Sequence, residues 1–167
     1  ECERLDIEYI QTSSRPLNGT ERIAEAADKI GLTETDVVVN VQGDDPLVDP
    51  KDLIRLAEYH DSLRFTADII IPHKNIVTDS LDRILYISRN PIPSNYRKKV
   101  PYKKHLSIYS FRNEALQQFA AAPETELEQI EGIEALRAID MGLNVETFEL
   151  ENEYTPVDVP EQYDIVC

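Results

Sequence analysis

Four residues at the end of one apolar run form the most chemically suggestive arrangement in the chain. Asp36–Val41 reads as a buried strand that delivers Gln42, Gly43, Asp44 and Asp45 to its carboxyl end, the edge where ligands bind in open α/β sheets. Glycine there lets the backbone approach a ligand, and a carboxylate is well placed to hold Mg²⁺ against phosphate oxygens. The same residues also suit a turn leading into a helix cap, because Gly-Asp and Asp-Pro are common turn pairs. Both readings stand on the residues alone. His105 and Tyr109 lie four apart on an expected strand, and so on one face. Such a pair suits two groups reading one ligand, or equally a half-buried histidine beside a core aromatic.

The elements that must position these groups alternate between strand and helix patterns. Asp6–Gln11 reads as a strand, Thr12–Gly19 as a polar loop, and Thr20–Ile30 as a helix ended by Gly31. Asp49-Pro50 supplies a capping acid and a first-turn proline for a helix reaching about Tyr59. Ala67–Ile71 is an apolar strand, and Ile76–Thr78 and Ile84–Ser88 read as strands around a turn at Asp79–Arg83. Asn90–Tyr102, with three prolines beside Arg97, Lys98 and Lys99, reads as an exposed loop of the kind that carries binding function. His105–Arg112 is a strand, and Glu114–Ala122 and Glu124–Met141 are helices parted by Pro123. The second of these carries Leu127, Ile130, Ile133, Leu136 and Ile139 as one stripe and ends at Gly142. Val145–Leu150 is the last strand and Pro160–Val166 a short helix. This alternation predicts an α/β fold with a mainly parallel sheet, three layers deep, in one domain spanning residues 1–167.

Composition narrows the function. The 167 residues hold 17 Lys and Arg against 32 Asp and Glu, a formal net charge of −15. Such an excess disfavours a nucleic-acid binder, whose affinity comes from clustered Lys and Arg. It suits a carboxylate metal site, although a solvated acidic face is the commoner explanation. The longest apolar runs, Val37–Val39 and Ile69–Ile71, fall far short of the ~20 residues of a membrane helix. Cys2 and Cys167 lack metal-ligand spacing and read as free thiols of a reducing compartment, the cytoplasm.

Five segments, in one order along the chain, resemble the 3-deoxy-manno-octulosonate (KDO) cytidylyltransferases, relatives of the acylneuraminate cytidylyltransferases. Asn40-Val-Gln-Gly-Asp-Asp-Pro46 is similar to the family's Asn-Val-Gln-Gly-Asp-Glu-Pro, and Asn18-Gly-Thr-Glu-Arg22 to its Ser-Gly-Thr-Glu-Arg. Leu85-Tyr-Ile-Ser-Arg89 with Ile92-Pro93 resembles Leu-Tyr-Phe-Ser-Arg and Ile-Pro, and His105-Leu-Ser-Ile-Tyr-Ser-Phe-Arg112 resembles His-Leu-Gly-Ile-Tyr-Gly-Tyr-Arg. Glu128–Arg137 with Gly142, then Val157-Asp-Val-Pro160, complete the set.

The resemblance implies a Rossmann-like nucleotidyltransferase fold and transfer of a cytidylyl group from CTP to an acidic sugar, with Mg²⁺ as cofactor and a homodimer as the assembly. It implies Asp44 and Asp158 as the catalytic carboxylates that hold Mg²⁺. Gly19, Thr20, Arg22 and Gln42 fall at the nucleotide, where a helix start offers free N–H groups. Arg89, His105, Tyr109 and Glu134 fall at the sugar, whose carboxylate suits the planar arginine fork. Considered without the resemblance, Thr20 and Asp158 are helix caps, Arg22 and Glu134 are solvated, and Gln42 closes a turn. The family's basic triphosphate loop has no counterpart in this sequence, and its Asn-Pro-x-x-Val-Lys stretch has none between Asn75 and Ile76. These departures predict little catalysis by these residues alone and keep a non-catalytic partner as a competing reading. Asn18, Asp45 and Ala135 replace the family's serine, glutamate and glutamine, which leaves KDO, amino-KDO, a nonulosonate or a phosphonate as acceptor.

Overall fold

The computed structural model describes residues 2–63, 66–74, 82–94, 96–99, 104–152, 154 and 157. Helix α1 (Gly19–Lys29) opens on Asn18, whose Oδ1 accepts from Glu21 N over 2.8 Å. It runs out at Gly31, in the left-handed region at φ 73°. Thr20, Ala24 and Ala27 are its buried face, the i, i+4, i+7 spacing of an amphipathic helix. Strand β1 (Val37–Val41) leads to α2 (Pro50–Ser62), where Asp49 caps by accepting from Lys51 N over 2.9 Å. Then follow β2 (Ile69–Lys74), β3 (Lys104–His105), β4 (Ile108–Arg112), α3 (Asn113–Ala121), α4 (Glu126–Glu131), α5 (Ala135–Asp140) and β5 (Val145–Glu149).

The sheet is mixed rather than mainly parallel among the described residues. β4 lies antiparallel between β1 and β2, β3 pairs antiparallel with the end of β2, and β5 pairs with β2 in parallel. β1, β2 and β5 therefore share one direction, and β4 is the reversed strand inserted among them. Alternating hydrophobicity has the same period in either direction, so the inversion of β4 left no trace in the pattern. Ile69 and Ile71 face a core with Ala24, Leu116, Phe119 and Leu136 of α1, α3 and α5. Ile70 and Ile108 face a second core with Leu56 of α2. The expected three layers, helices on both sides of one sheet, are thus present.

Several expected elements take another form. The expected strand at Asp6–Gln11 does not form: residues 6–11 are exposed, and no strand among the described residues pairs with them. The expected strand at Ile84–Ser88 reduces to a bridge between Arg83 and Glu146, beside the bond from Ile84 N to Val145 O at 2.8 Å. The strand over His105–Arg112 breaks at Leu106 and Ser107, where the register against β2 shifts between His73↔His105 and Ile70↔Ser110. The long helix over Glu124–Met141 is two helices, because Gly132 turns left-handed at φ 62°. Its stripe breaks with it, leaving Ile130 70% exposed. The expected strand at Ile76–Thr78 and helix at Pro160–Val166 lie outside the described residues.

Candidate functional site

The carboxyl ends of β1, β2 and β5 meet along one sheet edge, and the register puts Val41 beside Ile108 and His73 beside Glu149 and His105. Gln42–Asp45 leaves β1 at this edge in tight turns, with Asp45 N donating to Gln42 O over 3.2 Å. The turn half of the plain reading therefore holds. The helix cap is a different residue, Asp49, so capping does not account for the Asp44 carboxylate. Its Oδ1 is buried with no hydrogen-bond partner among the described residues, a costly state that a ligand relieves. A Cβ built on Gly43 or Gly19 meets no atom within 4 Å, so the backbone is open to approach at both. A hard oxygen donor without a partner fits Mg²⁺. Asp158 lies outside the described residues, but its neighbour Val157 donates its N–H to the Asp44 carbonyl over 2.7 Å.

Thr20, Tyr109 and Glu134 converge on a second wall. Thr20 is 1% exposed, and the cap of α1 is Asn18, so Thr20 serves another purpose. Asn40 Nδ2 donates to Thr20 Oγ1 over 3.3 Å, and the Thr20 hydroxyl acts to lower the Glu134 pKa against the larger effect of burial. Asn40 and Tyr109 are cross-strand partners on β1 and β4, so both side chains point to this face. The three groups line a void of about 10 Å³ with Ala135, Phe111 and Phe119, room for roughly one water. Burial pushes the Glu134 pKa up, and its Oε2 has no partner among the described residues. Glu134 is therefore no solvated helix position. Burial and the Glu134 charge push the Tyr109 hydroxyl up as well, so it keeps its proton and stays a donor.

Arg89 and His105 are the remaining residues expected at the sugar. Arg89 Nε donates to the Glu131 carbonyl over 2.6 Å and Nη2 to the Gly132 carbonyl over 2.9 Å. Two of its donors thus hold the break between α4 and α5. Burial lowers the His105 pKa, helped by the charges of Lys104 and Arg89. The bulge at Leu106 and Ser107 separates His105 on β3 from Tyr109 on β4, so strand alternation alone does not put them on one face. Arg22 is exposed and spends Nη1 on Thr12 Oγ1 and the Ser13 carbonyl, at 2.6 and 3.2 Å, fastening the loop before α1.

The Cytidylyltransferase family model matches residues 1–146. This chain belongs to the cytidylyltransferase family. It is 36% identical over 168 residues to the 3-deoxy-manno-octulosonate cytidylyltransferase of Syntrophus aciditrophicus, a match covering 92% of this chain and 68% of that protein. The 8-amino-3,8-dideoxy-manno-octulosonate cytidylyltransferase of Shewanella halifaxensis is 34% identical, covering 91% of this chain and 68% of the relative. Among solved structures, CMP:2-keto-3-deoxy-manno-octonic acid synthetase complexed with CTP superposes with a TM-score of 0.88. It is 29% identical, and the match covers 98% of this chain and 72% of that one.

In this cytidylyltransferase the wall of Thr20 and Glu134 is braced by a group the sequence reading passed over. Arg137 is 1% exposed and donates Nε and Nη2 to the two Glu128 oxygens, each at 2.7 Å. Its Nη1 reaches Glu21 at 3.5 Å and the Ala122 carbonyl at 3.2 Å, and its guanidinium covers Phe119 at 4.5 Å. Helices α1, α4 and α5 are thereby joined one turn from Glu134. By spacing it is an arginine beside an apolar stripe, which reads as an exposed helix position, and Glu128 and Arg137 otherwise enter only as the two ends of a segment that resembles the family.

Proposed function

We propose that this cytidylyltransferase couples CTP to the anomeric hydroxyl of an acidic sugar of the 3-deoxy-octulosonate class, giving a CMP-sugar for surface polysaccharide. The observation that carries this reading is the buried Oδ1 of Asp44 at the sheet edge, without a partner among the described residues, in a chain 36% identical to a KDO cytidylyltransferase.

The hydroxyl attacks the α-phosphorus of CTP and loses its proton, the bond from that phosphorus to the bridging oxygen breaks, and pyrophosphate leaves. Asp44 and Asp158 would hold Mg²⁺, which when bound would neutralise phosphate charge and lower the pKa of the sugar hydroxyl. Gly19 and Gln42 border the nucleotide, and Arg22 keeps the loop before α1 in place. Thr20 and Glu134 share a wall, so the nucleotide and sugar positions adjoin. Tyr109, kept protonated by burial, donates to the sugar, and His105 and Arg89 face its carboxylate side. A homodimeric assembly belongs to the same reading and rests on the family resemblance, while cytoplasmic location rests on Cys2 and Cys167 read as free thiols.

The test is pyrophosphate release by the full-length protein with Mg²⁺, each of CTP, UTP, ATP and GTP, and a panel of KDO, 8-amino-KDO and a nonulosonate. Release with CTP and one 2-keto sugar acid is the expected result. Release with another nucleotide alone contradicts the proposal.

A further inference from the structure

Asp52 sits in the first turn of α2 yet is 2% exposed, too deep for a solvated helix acid. Its carboxylate accepts from the Tyr154 hydroxyl and from Asn152 Nδ2, the latter at 2.9 Å. Burial alone would raise its pKa, but the Tyr154 and Asn152 bonds outweigh burial and hold the carboxyl below its ordinary range. Arg55, one turn on, pairs with Glu151 at 2.8 Å and covers the Phe148 ring at 5.7 Å. Tyr59 stacks on the same ring at 4.8 Å. All these contacts join α2 to the chain leaving β5. A little further along, the Val157 N–H closes on the Asp44 carbonyl. A buried carboxylate is an expensive way to secure a loop, since an apolar pair of similar volume serves stability as well or better. What directed hydrogen bonds add is a fixed geometry.

We propose that Asp52 is a positioning residue for the metal loop: through Tyr154 and Asn152 it fixes the exit of β5, so that Val157 stays on Asp44 and orients it. The proposal rests on the reading of Asp44 as a metal-holding residue. Groups that orient metal ligands from behind commonly change metal affinity when removed, and Asp52 acts here through two links rather than one.

The test uses Mn²⁺ as the probe, titrated into the full-length protein with CTP by electron paramagnetic resonance, beside the exchange rate of the Val157 amide. Tyr154→Phe and Asp52→Asn are expected to speed that exchange and to weaken Mn²⁺ binding about tenfold. Glu151→Gln removes the exposed ion pair with Arg55, keeps Asp52, Tyr154 and Asn152 intact, and is expected to change neither. A lowered melting temperature with unchanged Mn²⁺ affinity overturns the proposal, as does an unchanged Val157 exchange rate. Asp44→Asn separates the two readings. If it leaves Mn²⁺ binding intact, the metal assignment fails and takes the proposal with it. Weakened binding in Asp44→Asn beside unchanged binding in Tyr154→Phe sinks the positioning role alone. Should Asp52→Asn fail to fold, Tyr154→Phe, which deletes one hydroxyl, carries the test.

Discussion

The backbone N–H of Val157 donates to the carbonyl of Asp44 across 2.7 Å, tying the end of the chain to the loop after β1. The bond spans more than a hundred residues and places the segment just before Asp158 on the residue whose carboxylate Oδ1 lacks a partner among the described residues. Under the proposed metal assignment, fastening the two backbones together is a direct way to bring both acids to one metal.

Breaking the Arg137–Glu128 pair is expected to cost about 3–5 kcal/mol, because Glu128→Ala leaves a guanidinium that is 1% exposed without its main partner. Replacing both residues with apolar ones of similar volume is expected to recover most of that loss. Urea unfolding of the two single variants and the double variant reads the coupling. A Glu128→Ala variant as stable as wild type would remove the brace from this account.

Acidification is expected to destabilise the fold through His60. This fully buried ring meets the Ala67 carbonyl with Nε2 at 3.2 Å and the Ser110 hydroxyl with Nδ1 at 2.7 Å. Burial lowers its pKa from 6.5 to about 4. The unfolded chain takes a proton that the folded chain refuses, so stability falls as pH drops below 6.5 and levels off below about 4. His60 accounts for about 2 kcal/mol between pH 7 and pH 5 by that linkage. His105 acts in the same direction. Glu134, whose raised pKa makes the folded state take its proton first, opposes them. Urea unfolding at both pH values, for wild type and His60→Gln, isolates the histidine share; identical pH slopes would contradict it.

Glu134→Gln is expected to raise KM for the sugar acid about tenfold while KM for CTP stays within about twofold, the signature of a lost ground-state contact to one substrate. Steady-state kinetics with each substrate varied in turn reads both constants. A change confined to CTP would move Glu134 to the nucleotide side of the wall it shares with Thr20.

Local chemistry was the legible part of this fold. The cap at Asp49 with Pro50, the end of α1 at Gly31 and the run of β1 follow from residues within a turn of one another. What stayed hidden depends on distant partners. Gly132 broke a helix whose apolar stripe continued through it, and Arg89, 43 residues upstream, holds that break open. Asp52 resembled an ordinary first-turn acid because its partner Tyr154 is 102 residues on. Thr20 and Glu134 each fall at a different substrate by resemblance, but nothing in their spacing shows that they line one cavity. The Asp44 loop stood out because its residues are contiguous and close a buried strand.

Pyrophosphate release from CTP and a 2-keto-3-deoxy sugar acid with Mg²⁺, compared between wild type and Asp44→Asn, tests the central claim most directly. Wild type is expected to need both substrates, and the variant to be slower by about a hundredfold or more at equal metal. Equal rates in the two proteins would contradict the assignment of the metal to Asp44.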